Sequence, residues 1–133
     1  MDISVYYEDT DCGGVVYYAN YLKYFERART ELLESAEFSL SDLMEEGNIF
    51  TVVHCEIFYR SPARYRDILK IGTKLTEITR TVLMFSYKIS DKKDGRLIVE
   101  GTTKLVSVDS KGKVKRLSQE LVTRLAERVA GFE

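Results

Sequence analysis

The chain's most regular helical pattern, and the segment that decides its fold, is residues 19–36, which read ANYLKYFERARTELLESA. Apolar or small side chains recur at spacings of four, three, four and four residues, which places them on one face of an α-helix. They are Tyr21, Phe25, Ala28, Leu32 and Ala36. Leu22, Tyr24 and Leu33 widen this face. We therefore expect a long helix that packs deeply against a sheet.

The segments next to this helix are shorter. Residues 3–8 carry β-forming side chains in loose alternation and predict a first strand, which ends in an acidic, glycine-containing loop at residues 9–14. After the long helix, Ser39 resembles an N-cap and Gly47 a left-handed stop. We expect a short second helix between them.

The second half of the chain is strand-rich and ends in a helix. Short turns such as Asp94-Gly95 separate the strand-like runs and favour antiparallel neighbours, because parallel strands need long crossovers. A stripe of Leu121, Leu125 and Val129 predicts a terminal helix over residues 118–130. The four predicted strands are residues 50–60, 68–79, 82–90 and 97–108.

These elements predict an α+β fold in a single domain over residues 1–133. The predicted strands are long, and one helix cannot cover both faces of the sheet. We therefore expect a curved antiparallel sheet that wraps around the long central helix. An uncovered sheet edge would favour dimerisation.

Composition excludes several classes of function. The chain has 133 residues, 20 Lys and Arg against 21 Asp and Glu, and a formal net charge of −1 at pH 7. That balance argues against nucleic-acid binding, which needs a cationic surplus. Two cysteines and one histidine offer few metal ligands, so we expect no metal site. No secretion signal or long apolar run is present, which predicts a cytoplasmic protein.

The segment most able to carry chemistry is residues 9–21, which read DTDCGGVVYYANY. Asp11 lies on a loop, Gly13 and Gly14 allow a backbone to approach a ligand closely, and a helix begins within about one turn. The unpaired N–H groups of a helix start can polarise a carbonyl and stabilise an oxyanion. A carboxylate beside them can act as a base or a nucleophile. Alternatively, Asp9 and Asp11 form only Asx-turns or cap the helix.

Residues 9–21, followed by residues 24–31, resemble the signature of the hot-dog-fold acyl-CoA thioesterases of the YbgC and 4-hydroxybenzoyl-CoA thioesterase type. The resemblance extends through residues 61–67 and the later strands. It implies a hot-dog fold, hydrolysis of a small or medium acyl-CoA, no bound cofactor, and a homodimer or homotetramer with active sites between protomers. Acyl carrier protein is an alternative thioester carrier.

The resemblance also implies residue roles. The catalytic carboxylate falls on Asp11, as nucleophile or general base, while Asp9 shapes the loop. The oxyanion donor is a backbone N–H at or near Tyr18, where many YbgC-like members have a histidine. Glu26 matches an acid that contacts the substrate in the hydroxybenzoyl branch. Its alternative role is an ion pair with Lys23 or Arg29.

Four further residues are predicted to bind substrate. Gly14 belongs to the loop, and Val16 and Val53 are expected to line an acyl slot. His54 lies beside Val53 in a strand, where a lone histidine also suits a structural or interfacial role. Cys12 has no histidine near it in sequence, and we interpret it as a spacer in the glycine loop.

Two other functions remain open at this point. The same fold can serve as a non-catalytic scaffold that binds acyl groups or acyl carrier protein. Loss of thiol release from acyl-CoAs on Asp11→Asn substitution distinguishes the enzyme from the scaffold. A dehydratase would need a histidine and an acid facing the substrate, and His54 is the only histidine.

Overall fold

A computed structural model describes residues 1–129, in which five strands and three helices form an α+β fold, as predicted. A short 3₁₀ turn over Tyr7–Asp9 follows the first strand. In chain order the elements are β1 (Asp2–Ser4), α1 (Asn20–Ser35), α2 (Leu40–Glu45), β2 (Ile49–Tyr59), β3 (Ile68–Ile78), β4 (Val82–Asp91), β5 (Leu97–Val108) and α3 (Gln119–Arg128).

The strands form one antiparallel sheet in the order β1-β3-β4-β5-β2, which confirms the predicted antiparallel pairing. Strand β2 lies at one edge and pairs only with β5 among the described strands. A bulge at Val53 interrupts this pairing between Val52 and His54.

Helix α1 packs against the concave face of the sheet, as its apolar stripe predicts. Phe25 is fully buried, and its ring stacks on that of Tyr87 in β4 at a centroid distance of 4.2 Å. Gly101 in β5 makes this approach possible, because a Cβ there would lie 3.0 Å from the Phe25 ring and 2.5 Å from the carbonyl oxygen of Glu56. The sheet therefore curves around α1 at Gly101.

Two local predictions were wrong. The first strand ends at Ser4, whereas the sequence predicted residues 3–8; Tyr7–Asp9 form a 3₁₀ turn because the Asp9 carboxylate accepts the N–H of Tyr6 and closes the chain locally. Leu22 does not belong to the buried face of α1. It is 43% exposed, while Tyr24 and Leu33 are buried as expected.

The predicted helix caps are present. The Ser39 hydroxyl accepts the N–H of Asp42 at 3.4 Å, and Gly47 after α2 has a φ of +87°. The Ser118 hydroxyl accepts the N–H of Leu121 at the start of α3. Ala130, the last residue of the predicted terminal helix, lies outside the described residues. Among residues 1–129, no helix is both long enough and apolar enough to cross a membrane.

Candidate active site

A tight turn holds Asp11 on the surface ahead of α1. The backbone N–H of Asp11 donates to the carbonyl of Val15 at 2.9 Å, and the N–H of Gly14 donates to the carbonyl of Asp11 at 3.0 Å. Gly14 has a φ of +78°, a conformation that glycine adopts at little cost. The turn thereby fixes the backbone on either side of the Asp11 side chain.

The Asp11 carboxylate is exposed and takes part in an Asx-turn. Its Oδ1 accepts the N–H of Gly13 at 2.8 Å. The Asx-turn that the sequence allowed for Asp11 is therefore present. The turn uses only Oδ1, and within residues 1–129 Oδ2 accepts no hydrogen bond. An aspartate in this state is oriented by the loop and keeps one oxygen for chemistry.

Asp9 fastens the loop to α1. Its backbone carbonyl accepts both the N–H of Tyr17 at 2.9 Å and the side-chain N–H of Asn20 at 2.8 Å. Tyr24, one turn along α1, buries its hydroxyl without a hydrogen-bond partner among the described residues. Burial, and after it the charge of Asp9, raises the pKa of Tyr24, so its phenol stays neutral.

Two unpaired backbone donors lie directly before α1. In the part of the chain that the structure describes, the backbone N–H groups of Tyr18 and Ala19 donate to no protein acceptor. The N–H of Val16, two residues before Tyr18, is satisfied by the carbonyl of Ala63 at 2.8 Å. Free N–H groups at a helix start carry partial positive charge and favour an anionic or strongly polarised oxygen.

A surface hollow of about 390 Å³ lies beside this helix start. The Tyr59 hydroxyl donates to the carbonyl of Tyr18 at 3.1 Å, and the Tyr59 ring makes edge contacts with the rings of Tyr18 and Tyr21. We call this the tyrosine hollow; its lining residues are Val16, Tyr18, Tyr21, Tyr59, Arg60, Ser61 and Pro62. It is an open, amphipathic surface next to free backbone donors.

The structure brings three of the predicted site residues to this region. Val16 and Tyr18 line the tyrosine hollow, and Gly14 lies in the turn that leads to it. Asp11 does not line the hollow. The neighbouring Tyr18 hydroxyl, then burial, and last the charge of Asp11 raise the pKa of Tyr17, which lies between Val16 and Tyr18 in the sequence.

Glu26, Val53 and His54 lie apart from the tyrosine hollow. The Glu26 carboxylate accepts the Thr30 hydroxyl at 3.3 Å, and within residues 1–129 it makes no ion pair with Lys23 or Arg29. Val53 is the bulged residue of β2 and is 55% exposed.

His54 lies on the face of the sheet that points away from α1. Its neighbour Cys55 pairs with Thr103, and the hydroxyl of Thr103 hydrogen-bonds to that of Tyr87 against α1. Since neighbouring strand residues point to opposite faces, His54 points outward, where its Nε2 lies 3.9 Å from Glu56. Its assignment to substrate binding stays a prediction.

Two lining residues of the hollow, Tyr21 and Tyr59, were not predicted from the sequence, where Tyr21 was expected only to pack in the apolar stripe of the helix. Tyr21 is buried, as expected, but Tyr59 is 48% exposed. The available signal was the position of Tyr59 at the end of a strand, just before Ser61-Pro62.

Among residues 1–129, no group of three or more His, Cys, Asp or Glu side chains is arranged to hold a metal ion.

Three comparisons relate the chain to known proteins. The family model of the thioesterase-like superfamily matches residues 5–125. The acyl-CoA thioester hydrolase YbgC of Escherichia coli is 40% identical over 126 residues, which cover 94% of this chain and 93% of that protein.

Two solved structures share the fold. A 1,4-dihydroxy-2-naphthoyl-CoA thioesterase from Synechocystis superposes with a TM-score of 0.85 at 26% identity, over 96% of this chain and 94% of that one. A DHNA-CoA thioesterase from Staphylococcus aureus superposes with a TM-score of 0.89 at 27% identity, over 96% of this chain and 87% of that one.

Proposed function

The chain belongs to the thioesterase-like superfamily, and on that basis we propose that it hydrolyses acyl-CoA thioesters at the loop that carries Asp11. The family resemblance of residues 9–21 and the expected hot-dog fold are confirmed. Family membership does not identify the residues that perform the reaction, and the proposal assigns them.

One observation carries the proposal: the free backbone N–H of Tyr18 lies directly before α1, seven residues after the exposed carboxylate of Asp11. A thioester carbonyl in the tyrosine hollow would accept the Tyr18 N–H, and attack on the carbonyl carbon would place negative charge on that oxygen. The helix dipole adds to the stabilisation. In other hydrolases, one such donor lowers the barrier by about 2.7–4 kcal/mol.

Asp11 supplies either the nucleophile or the base. As nucleophile, a carboxylate oxygen attacks the carbonyl carbon, the C–S bond breaks, CoA leaves as a thiolate that water protonates, and a second water hydrolyses the anhydride. As base, the carboxylate takes a proton from the water that attacks, and this proton passes to the departing sulfur. Single turnover in ¹⁸O-water tests the nucleophilic route, because attack of water on the Asp11 carbonyl of the anhydride places ¹⁸O in that carboxylate, which the base route cannot do.

We propose that the active site is complete only in an oligomer, in which the free edge of β2 packs against a second copy of the chain. The unpaired backbone groups of this edge, together with the exposed side chains of Val52, Val53 and Phe58, form a surface suited to a second copy of the chain. In a homodimer or homotetramer, Val53 and His54 could contact substrate held by the other protomer. Glu26 would contact the substrate from α1. The proposed enzyme is cytoplasmic.

Thiol release tests the proposal. Short aliphatic, long aliphatic and aromatic acyl-CoAs, and an acyl carrier protein thioester, are offered to the unchanged protein, to Asp11→Asn and to Glu8→Gln. Glu8 is the matched control, since it is an exposed acid on the same loop. We expect Asp11→Asn to lower kcat/KM by about 10²–10⁴-fold and Glu8→Gln to change it little. Equal hydrolysis by Asp11→Asn would contradict the catalytic role, and no hydrolysis of any thioester would favour the non-catalytic scaffold.

A further inference from the structure

The Arg96 side chain joins the turn before β5 to a segment of backbone beside the proposed site. Its Nη1 donates to the carbonyl of Pro62 at 2.9 Å. Pro62 lines the tyrosine hollow and is the only proline of the chain. Since the proline ring fixes φ, the backbone that accepts this hydrogen bond has little freedom of its own. Arg96 therefore holds one wall of the hollow from outside, because it is not itself a lining residue.

Three carboxylates fix the direction of the Arg96 guanidinium. Oxygens of Asp91 and Asp67 lie 3.7 Å and 4.0 Å from its Nη2, and an oxygen of Asp94 lies 3.8 Å from its Nε. The side chain of Asp91 is only 9% exposed, and its other oxygen accepts two backbone N–H groups of the turn. These partners hold a long surface side chain in one orientation, which directs its remaining donor to the proline carbonyl.

The residue after this proline is bonded to the loop of the proposed catalytic carboxylate. The carbonyl of Ala63, a fully buried residue, accepts the N–H of Val16 at 2.8 Å. Val15 pairs with Arg64 in an antiparallel bridge, and the carbonyl of Val15 accepts the N–H of Asp11 at 2.9 Å. A continuous backbone link therefore runs from the segment that the guanidinium holds to the carboxylate loop.

The same link reaches the proposed oxyanion donor. Tyr18 lies two residues after Val16, and its backbone N–H has no protein acceptor among the described residues. The backbone of Val15 and Val16 thus separates the Asp11 carboxylate from this N–H. Any movement of that backbone changes the distance between the two groups on which the proposed reaction depends.

We propose that Arg96 is a positioning residue for thioester hydrolysis, an inference that rests on the proposed function. Through the Pro62 carbonyl it keeps the carboxylate of Asp11 and the N–H of Tyr18 in register with each other. It touches neither the substrate nor the reacting atoms. Because a misplacement of about 1 Å costs about a hundredfold in rate, loss of this contact should lower kcat. The alternative is that Arg96 stabilises only the turn between β4 and β5.

Arg80 is a matched control, because its chemistry is the same and its place is different. Its Nε donates to the carbonyl of Leu117 at 2.9 Å, which joins the turn before β4 to the segment before α3. Neither of these two residues lines the tyrosine hollow. Glutamine at either arginine position removes the charge and shortens the side chain, so a general effect on stability should appear in both variants. An effect on the loop should appear only in Arg96→Gln.

Amide hydrogen exchange tests the link without any turnover. Rates at the N–H groups of Val16 and Asp11 are compared with that of Ile89, a buried residue of β4, in each variant. This ratio separates local opening from global unfolding. We expect Arg96→Gln to raise the ratio about tenfold or more, and Arg80→Gln to leave it unchanged. An unchanged ratio in Arg96→Gln, or the same rise in Arg80→Gln, would overturn the proposal.

Steady-state kinetics test the consequence for the reaction. With acyl-CoA substrates, and well below the melting temperature of each variant, Arg96→Gln should lower kcat about ten- to a hundredfold, whereas Arg80→Gln should keep it. Faster exchange with an unchanged kcat would overturn the positioning role and leave the role of Asp11 intact. Full activity of Asp11→Asn would instead contradict the proposed function, and the exchange ratio would still decide whether Arg96 holds the loop.

Discussion

The side chain of Asn20 donates a hydrogen bond to the backbone carbonyl of Asp9, with Nδ2 and O 2.8 Å apart. Asn20 is the first residue of α1, and Asp9 lies two residues before Asp11. The same carbonyl accepts the N–H of Tyr17, so the start of the helix and the loop of the proposed catalytic carboxylate are joined at one atom. Asn20 is thereby a positioning residue in the proposed site.

Replacing Asn20 should therefore separate positioning from binding. We expect Asn20→Ala to lower kcat by about ten- to a hundredfold with little change in KM, because the loop loses its fixed distance from α1. The loss of one hydrogen bond should cost about 1 kcal/mol of unfolding free energy. Steady-state kinetics and urea unfolding measure the two effects. Lys23→Ala, an exposed change on the same helix, is the control, and an unchanged kcat in Asn20→Ala would contradict the positioning role.

The glycine after Cys12 is predicted to protect the orientation of the Asp11 carboxylate. A Cβ at Gly13 would lie 3.1 Å from the Asp11 Oδ1, so that oxygen would have to shift by a few tenths of an ångström. Gly13→Ala should reduce kcat/KM severalfold or more while the melting temperature changes by only a few degrees. Gly72→Ala is the matched control, since its Cβ would meet nothing within 4 Å. Equal kinetics in the two variants would argue against a fixed carboxylate.

The backbone of Tyr18, and not its side chain, is predicted to bind the oxyanion. Tyr18→Phe keeps the N–H and should retain most of the activity, whereas Tyr18→Pro removes the N–H and should lower kcat by about 10²–10³-fold. The proline removes no backbone hydrogen bond within residues 1–129, and Tyr18→Phe controls for the loss of the hydroxyl. Circular dichroism shows whether it folds. A folded proline variant with full kcat would exclude this N–H as the donor.

Gly101 is predicted to be indispensable to the curved sheet. A Cβ there would lie 2.5 Å from the Glu56 carbonyl oxygen and 3.0 Å from the Phe25 ring, so β2 and α1 would both have to move. We expect Gly101→Ala to lower the unfolding free energy by about 1–3 kcal/mol, as overpacking of a core does. Denaturant unfolding against Gly72→Ala measures it. Stability equal to that of the unchanged protein would show that the contact with α1 is looser than described.

Much of this architecture was predictable because its signals are local. The 3.6-residue stripe of α1 and the turn residues between strands determine where elements begin and end within one or two residues, as for Asn20–Ser35 and Leu97–Val108. The 3₁₀ turn at Tyr7–Asp9 was missed because a single hydrogen bond, from Tyr6 to the Asp9 side chain, outweighs the β-propensity of the segment.

The site was only partly predictable because it depends on contacts between distant residues. Tyr18 and Tyr59 are 41 positions apart, and their hydrogen bond requires the register of β2 against α1, which no local pattern specifies. The bulge at Val53 also has no local sequence pattern that specifies it. It shifts the register so that Cys55 faces α1 and His54 does not, and the alternation of the sequence contains no sign of it.

The most direct measurement of the central claim is a crystal structure of the Asp11→Asn variant with an intact medium-chain acyl-CoA. We predict the thioester carbonyl oxygen within about 3.2 Å of the Tyr18 backbone nitrogen, with the residue 11 side chain facing the carbonyl carbon. A thioester bound elsewhere, such as in the hollow on the opposite sheet face lined by Gly72 and Lys88, would contradict it.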